Sequence, residues 1–276
     1  MTEFGIVGLA IVVVTFLVSY QGFRKPEYFD QYAFRIKDIL YGRQYYRLLT
    51  SGLLHTGWPH LLLNMLTFYW FSSSVELMVG YRNYALIYFA SLLGGSLLSL
   101  LLHRRDSEYT AVGASGAISG LVFAAIALFP EMKVGFPEVL MVPGWLYGLL
   151  YVAFCAYGIT ARLGNIGHDA HLGGGLVGLL TVLLLRPALL HTNALAIGAI
   201  LLPALAFFVL LLKKPNALLT GSLFKAAPDY QTADDRYHSR QGDDEAELDA
   251  LLDKISRQGI DSLSAREKRQ LEKLSR

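Results

Sequence analysis

Residues 113–120 read GASGAISG, a serine set among small residues where the chain turns apolar. Gly116 and Gly120 are four apart and so share one face of a helix. In lipid, such small-residue faces let two helices approach closely. That is the structural reading of the stretch. The chemical reading is that Ser115, at the start of the same helix, is a nucleophile. The rest of the chain decides how the two readings relate.

The chain has 276 residues, of which 54% are hydrophobic, and its mean hydropathy is +0.41. Soluble domains hold about 45–50% apolar residues, so attention moves to long apolar runs. A membrane-crossing helix needs about 20 of them. Seven spans are expected, at 4–21, 58–79, 83–102, 114–130, 144–161, 168–186 and 194–212, the fourth being short. The first carries no basic segment ahead of it and no small-residue cleavage site, which makes it an anchor and not a cleaved signal. The single Cys155 lies in an apolar run and reads as a buried structural thiol. A net charge of +2 with scattered basic residues argues against nucleic acid as a partner.

These runs predict an all-α polytopic membrane protein in four parts: a six-helix core over 1–190, a further span over 191–213, a polar linker over 214–242 and a small soluble helical hairpin over 243–276. Residues 22–57 are too polar to cross a bilayer and too rich in aromatics and leucines to float free. They read as a structured loop at the membrane surface. In the tail, Leu248, Leu251, Leu252 and Ile255 form one apolar face, and Ser264 with Glu267 makes a capping box. The hairpin is expected to bind a protein partner.

Parity gathers the polar residues. If the chain starts at face Y, the first span exits at face X, and the second, fourth and sixth spans all start at X. His60 and Asn64 open the second span, Ser115 the fourth, and His168 and His171 the sixth. All lie on one side at similar depth. Polar groups inside a membrane are costly and are functional candidates by default.

The spacing supplies a chemistry. Gly174 and Gly178 follow His171 by three and seven residues on one stripe. Packed against Gly116 and Gly120, that stripe brings Ser115 near His171. A serine hydroxyl needs a base to become a useful nucleophile, and His171 is the best-placed base. Asp169 is two residues away and faces elsewhere, so a serine–histidine dyad is expected without an acid. His60, Asn64 and the Ser115 backbone N–H are the candidate oxyanion donors. His60 and Asn64 are four apart and share a face.

Two other classes compete. His55, His60, His168, Asp169 and His171 contain enough ligands for a zinc site, but no H-E-x-x-H motif is present. A transporter would carry charges at mid-membrane or a repeated half, and neither is visible. A third alternative is a protein that binds membrane segments without cutting them.

HTGWPHLLLNMLTFYWFSSSVELMVG (55–80), GASGAISG and HLGGGLVG (171–178) together resemble the rhomboid intramembrane serine proteases over roughly 5–186. The resemblance implies a six-helix bundle with Ser115 and His171 as the dyad and His60 and Asn64 at the oxyanion hole. It implies supporting roles for Gly113, Gly116, Gly174 and Gly178. His55 matches a loop histidine of the family. Tyr46–Arg47 sits where the family often has Trp–Arg, which gives Arg47 a structural role, and Glu76 matches a structural glutamate. The implied partners are membrane lipid and the transmembrane segments of other proteins, cut near the membrane surface where the helix unwinds. No metal and no cofactor are implied. One position departs from the pattern. Many members carry an aromatic ring on the histidine four residues after the serine, and here that residue is Ser119. Another aromatic, such as Phe123 or Tyr157, is expected to serve.

The resemblance also puts face X on the extracytoplasmic side of a bacterial inner membrane. The positive-inside rule votes the other way, because Arg24, Lys25, Arg35, Lys37, Arg43, Arg47, Arg104, Arg105 and Arg162 lie at X, against Arg82, Lys133 and Arg186 near Y. A folded loop that uses its basic residues for internal bonds resolves the conflict in favour of the resemblance.

Overall fold

A computed structural model describes residues 5–136, 140–161 and 166–213, with 254, 255 and 264 in the tail. The chain divides into two compact units, Met1–Ala227 and Pro228–Arg276. The expected linker and tail hairpin lie almost wholly outside the described residues.

The first unit is helical throughout its core. Helix α1 (Ile6–Arg24) is followed by the surface segment, which folds as α2 (Pro26–Tyr32), a two-residue strand β1 (Phe34–Arg35), α3 (Ile36–Leu40), α4 (Arg47–Thr50) and a 3-10 turn over Ser51–Leu53. Then come α5 (Trp58–Val79), α6 (Tyr81–His103), strand β2 (Thr110–Ala111) and α7 (Ser115–Leu128). The chain continues through a hairpin of β3 (Lys133–Phe136) and β4 (Leu140–Pro143) to α8 (Gly144–Ala161), α9 (His168–Leu185), the short α10 (Leu189–Thr192) and α11 (Ala194–Lys213). All seven expected spans are helices, with ends within a few residues of those expected. Among the described residues five of them, α1, α6, α8, α9 and α11, are long and apolar enough to cross a membrane. The protein is an all-α multi-pass membrane protein.

Helix α5 is long enough, but His60, Asn64, three serines and Glu76 lower its hydropathy. Helix α7 is different in kind. Its 14 residues reach about 21 Å, short of a hydrocarbon core of about 30 Å. Every residue from Gly116 to Ala127 is buried, so α7 is a central post surrounded by the others. A helix that begins below the membrane surface leaves its first N–H groups without intrahelical partners. Inside a bilayer such backbone is tolerated only within protein or along a water-filled cavity.

The strand pairs were not expected. In the first, β1 meets β2 antiparallel, with Phe34 opposite Ala111 and Arg35 opposite Thr110. This stitches the surface segment to the strand that leads into α7. Two-residue strands carry no detectable alternation, so the sequence holds no signal for them.

Arg47 explains why the surface segment holds its shape. Its guanidinium is buried and donates to the carbonyls of Asp30 (2.6 Å) and Ala33 (2.7 Å) and to Gln44 Oε1 (2.7 Å). It also pairs with Asp38 at 3.0 Å, while Arg35 pairs with Asp30. Arg35 and Arg47 are thus used for internal bonds.

Glu76 acts at the other end of α5. Its carboxylate accepts the backbone N–H groups of Val7 (3.0 Å) and Gly8 (2.9 Å), which are first-turn groups of α1. A carboxylate there satisfies donors that the helix cannot and meets the positive end of its dipole. Glu76→Ala leaves both N–H groups unpaired, that of Gly8 buried, and should cost about 1–3 kcal/mol, read as a lower melting temperature in detergent. Glu76→Gln should recover part of it. Melting unchanged in Glu76→Ala would show that α1 is held by apolar packing alone.

Candidate active site

The N-terminal ends of α5, α7 and α9 meet. Gly113, two residues ahead of α7, has φ of 131°, a region that glycine enters without strain. This turn brings the chain edge-on to α5. A Cβ added at Gly113 would stand 3.0 Å from His60 Nε2 and 3.7 Å from Ser115 Oγ. His60 and Ser115 therefore border one small space, and Gly113 keeps it open.

His55 sets the turn from below. Ser19 Oγ donates its one proton to the Leu53 carbonyl at 2.8 Å, so at 2.9 Å His55 Nδ1–H must be the donor to Ser19. His55 Nε2 then accepts the Ala114 N–H at 3.4 Å. Burial, with the neighbouring His60 adding to it, pushes the His55 imidazole down to about 3. It is neutral at ordinary pH, as this tautomer requires. The imidazole links α1 to the residue that precedes Ser115, a bond that the spacing of the sequence does not reveal.

His60 and Asn64 share a face, as their spacing requires. His60 Nδ1 lies 3.2 Å from Thr56 Oγ1, and Asn64 Nδ2 donates to the His60 carbonyl at 3.0 Å. One Asn64 amide proton is thus held by its own helix.

Helix α9 packs on α7 backbone to backbone. A Cβ added at Gly116 would lie 3.2 Å from the Ala170 carbonyl oxygen. One at Gly174 would collide with the Gly116 carbonyl, 2.7 Å from its carbon, and one at Gly178 with the Gly120 carbonyl, also 2.7 Å from its carbon. Gly116 and Gly120 therefore face Gly174 and Gly178 along the same seam. The seam puts the first turn of α7, with Ser115, beside the first turn of α9, with His171. No hydrogen bond joins Ser115 to His171 in this structure. Catalytic hydrogen bonds are commonly long without substrate.

His171 is buried, and its Nδ1 has no hydrogen-bond partner. Its ring instead lies parallel to Tyr151 of α8, with centroids 6.1 Å apart and 16° between planes. The sequence left this place open to an aromatic such as Phe123 or Tyr157, and the structure puts Tyr151 there. Phe123 packs edge-on against Tyr151 at 5.8 Å, one ring away from His171, and Tyr157 is 48% exposed. Sequence reasoning missed Tyr151 because α8 carries aromatics at 145, 147, 151, 154 and 157. In a span, rings at any of these positions can equally face lipid.

Asp169 makes no hydrogen bond to His171 Nδ1. Its carboxylate pairs with His103 Nε2 at 3.2 Å, and the His103 ring stacks on Tyr109. This ties α9 to the end of α6. Among the described residues no group of three or more His, Cys, Asp or Glu side chains is placed to hold a metal ion. The histidines are distributed to separate tasks: His55 to Ala114, His60 to the edge of the serine's space, His103 to Asp169. His168 packs edge-on against Phe154 at 4.7 Å.

Residues 42–188 match the Rhomboid domain family, and residues 231–276 match a family of unknown function (DUF6576). Rhomboid protein 1, mitochondrial, of Saccharomyces cerevisiae is 36% identical over 138 residues, which is 48% of this chain and 40% of that protein. The putative rhomboid protease YdcA of Bacillus subtilis is 32% identical over 134 residues, 48% of this chain and 64% of its own length. The rhomboid protease GluP of the same organism is 30% identical over 131 residues, 48% of this chain and 24% of its own. The chain thus covers 24% to 64% of the length of these three relatives.

Proposed function

The chain belongs to the rhomboid family, and on that premise we propose that it is an intramembrane serine protease working through a Ser115–His171 dyad. The observation that carries the proposal is the glycine seam between α7 and α9. It holds the serine's helix and the histidine's helix at backbone contact, with the two residues in adjoining first turns.

In this mechanism Ser115 Oγ attacks the scissile carbonyl while His171 takes its proton. The oxyanion that forms faces the Ser115 backbone N–H, the His60 ring and the second amide proton of Asn64. His171 then gives the proton to the departing amine, leaving an acyl-serine. Water, deprotonated by His171, attacks the ester, and serine leaves with the proton returned. No bound ion or cofactor takes part. The substrates are transmembrane segments of other proteins, cut where the helix unwinds near the membrane surface, with small residues at the cut. His55, Arg47 and Glu76 hold the scaffold, and Gly113, Gly116, Gly174 and Gly178 hold the spacing.

The same proposal divides the chain into a catalytic core over 1–190, an added span over 191–213, a linker over 214–242 and a partner-binding hairpin over 243–276. The match of 231–276 to a family of its own supports a separate tail. Placement in a bacterial inner membrane is part of the proposal too. The relatives' names divide on it, some being mitochondrial and others from Bacillus subtilis.

The test is labelling of the purified protein in detergent with a fluorophosphonate probe, with and without strong chelators. Wild type should be tagged and Ser115→Ala should not, and chelators should change neither tagging nor cleavage. Absence of tagging together with absence of cleavage would favour a non-catalytic binder or a transporter. Activity lost to phenanthroline and restored by zinc would favour a histidine metal site.

A further inference from the structure

We infer that Tyr151 of α8, tied by its hydroxyl to Ser119 of α7, is the positioning residue that sets the ring plane of His171. The inference rests on the dyad reading above and deepens it.

A base must present one nitrogen to the serine, so its ring needs a fixed rotation about the Cβ–Cγ bond. A hydrogen bond to the other nitrogen is the usual way of fixing it. Here His171 Nδ1 is buried and has no such bond, and the Asp169 carboxylate, two residues along the chain, lies 3.2 Å from His103 Nε2 instead. Packing must do the work. The His168 ring meets His171 edge-on at 6.2 Å and 65°, and the Tyr151 ring lies nearly parallel to it at 16°. The parallel ring defines the plane.

Tyr151 is itself fixed at its far end. Ser119 Oγ donates its one proton to the Ser115 carbonyl at 2.7 Å. The 2.7 Å contact between Ser119 Oγ and Tyr151 Oη therefore has Tyr151 as donor. The chain of bonds runs Tyr151 O–H to Ser119 O–H to the Ser115 C=O. Phe123 packs edge-on against the Tyr151 ring at 75°, and Tyr147 stacks on it at 28°. The residue that orients the base is thus tied to the backbone of the nucleophile. A small hydroxyl residue at 119 leaves room for a ring to arrive from α8, and it supplies the oxygen that holds that ring.

The experiment measures kcat and KM on a model transmembrane substrate for wild type, Tyr151→Leu, Tyr151→Phe, Ser119→Ala and the Ser119→Ala/Tyr151→Phe double variant, with detergent melting as the control for folding. Misplacing a reacting group by about 1 Å can cost about 10²-fold. Tyr151→Leu should therefore lower kcat about 10²-fold with KM within about twofold of wild type. Tyr151→Phe keeps the ring and should rescue most of the rate. Ser119→Ala should cost about 2- to 10-fold, the value of one hydrogen bond. Because both act through one contact, the double variant should lose no more than the worse single variant. Unchanged kcat in Tyr151→Leu overturns the inference, as does Tyr151→Phe falling as low as Tyr151→Leu, or a loss carried by KM. If Tyr151→Leu does not fold, the two milder variants decide, and losses that simply add overturn it. A wild type that neither cleaves nor takes up fluorophosphonate defeats the protease reading itself, whereas an active wild type with an indifferent Tyr151 defeats only the positioning role.

Discussion

Ser115→Ala and His171→Ala should each lower cleavage of a model transmembrane substrate by about 10⁴-fold or more, with detergent melting close to wild type. The magnitude follows from nucleophile and base acting as a unit, so that removing either removes nearly all of the covalent path. Both substitutions only remove side-chain atoms and leave the glycine seam between the two helices intact, which is why folding should survive them. The double variant should be no slower than the slower single variant. His60→Ala and Asn64→Ala should fall between these and wild type, since losing one oxyanion donor typically costs about 10²–10³-fold and the Ser115 N–H remains. Wild-type cleavage by either dyad variant would refute the mechanism. Full rates in both donor variants and in their double would refute only the oxyanion assignment.

The second large effect is expected at the glycine seam. Gly174→Val and Gly178→Val should abolish cleavage and lower melting sharply, although neither residue carries a reactive group. Overpacking a tight core usually costs about 1–3 kcal/mol, and here the obstruction is a backbone carbonyl on α7 that cannot rotate aside. Alanine adds only one methyl and should be milder than valine, yet the first added carbon already collides, at 2.7 Å from the Gly116 or Gly120 carbonyl carbon. Gly174→Ala and Gly178→Ala should therefore also push the helices apart, with rate losses of about 10²-fold from a shift of about 1 Å. Paired measurements of rate and melting for each variant check this. Alanine variants with unchanged rate and melting would mean that the two first turns are held together by something other than the seam.

The seven helices were legible in the sequence because a bilayer imposes a length and a polarity on every crossing, and 58–79 and 144–161 are helical over the whole expected range. The gathering of His60, Ser115 and His171 was legible for a related reason. Alternating spans allow only two faces, so parity assigns each helix start to one of them. The face of His60 and Asn64, and the glycine pairs at 116/120 and 174/178, follow from helical periodicity alone. The two-residue strands and the hairpin between α7 and α8 were not legible, because pairings so short leave no pattern.

What the sequence by itself determined is which residues share a helix face and which helix starts share a membrane face, since both depend on counting along the chain. What only the tertiary structure decided is which side chains meet across helices. It directed Asp169 to His103, His55 to Ala114, Glu76 to the first turn of α1, and Tyr151 in place of Phe123 or Tyr157 to the ring of His171. These choices depend on how far each helix is rotated and displaced against its neighbours. Those rotations are set by close packing at positions such as Gly116 on Gly174, where a fraction of an ångström selects one neighbour over another, and no spacing along a single helix carries that information.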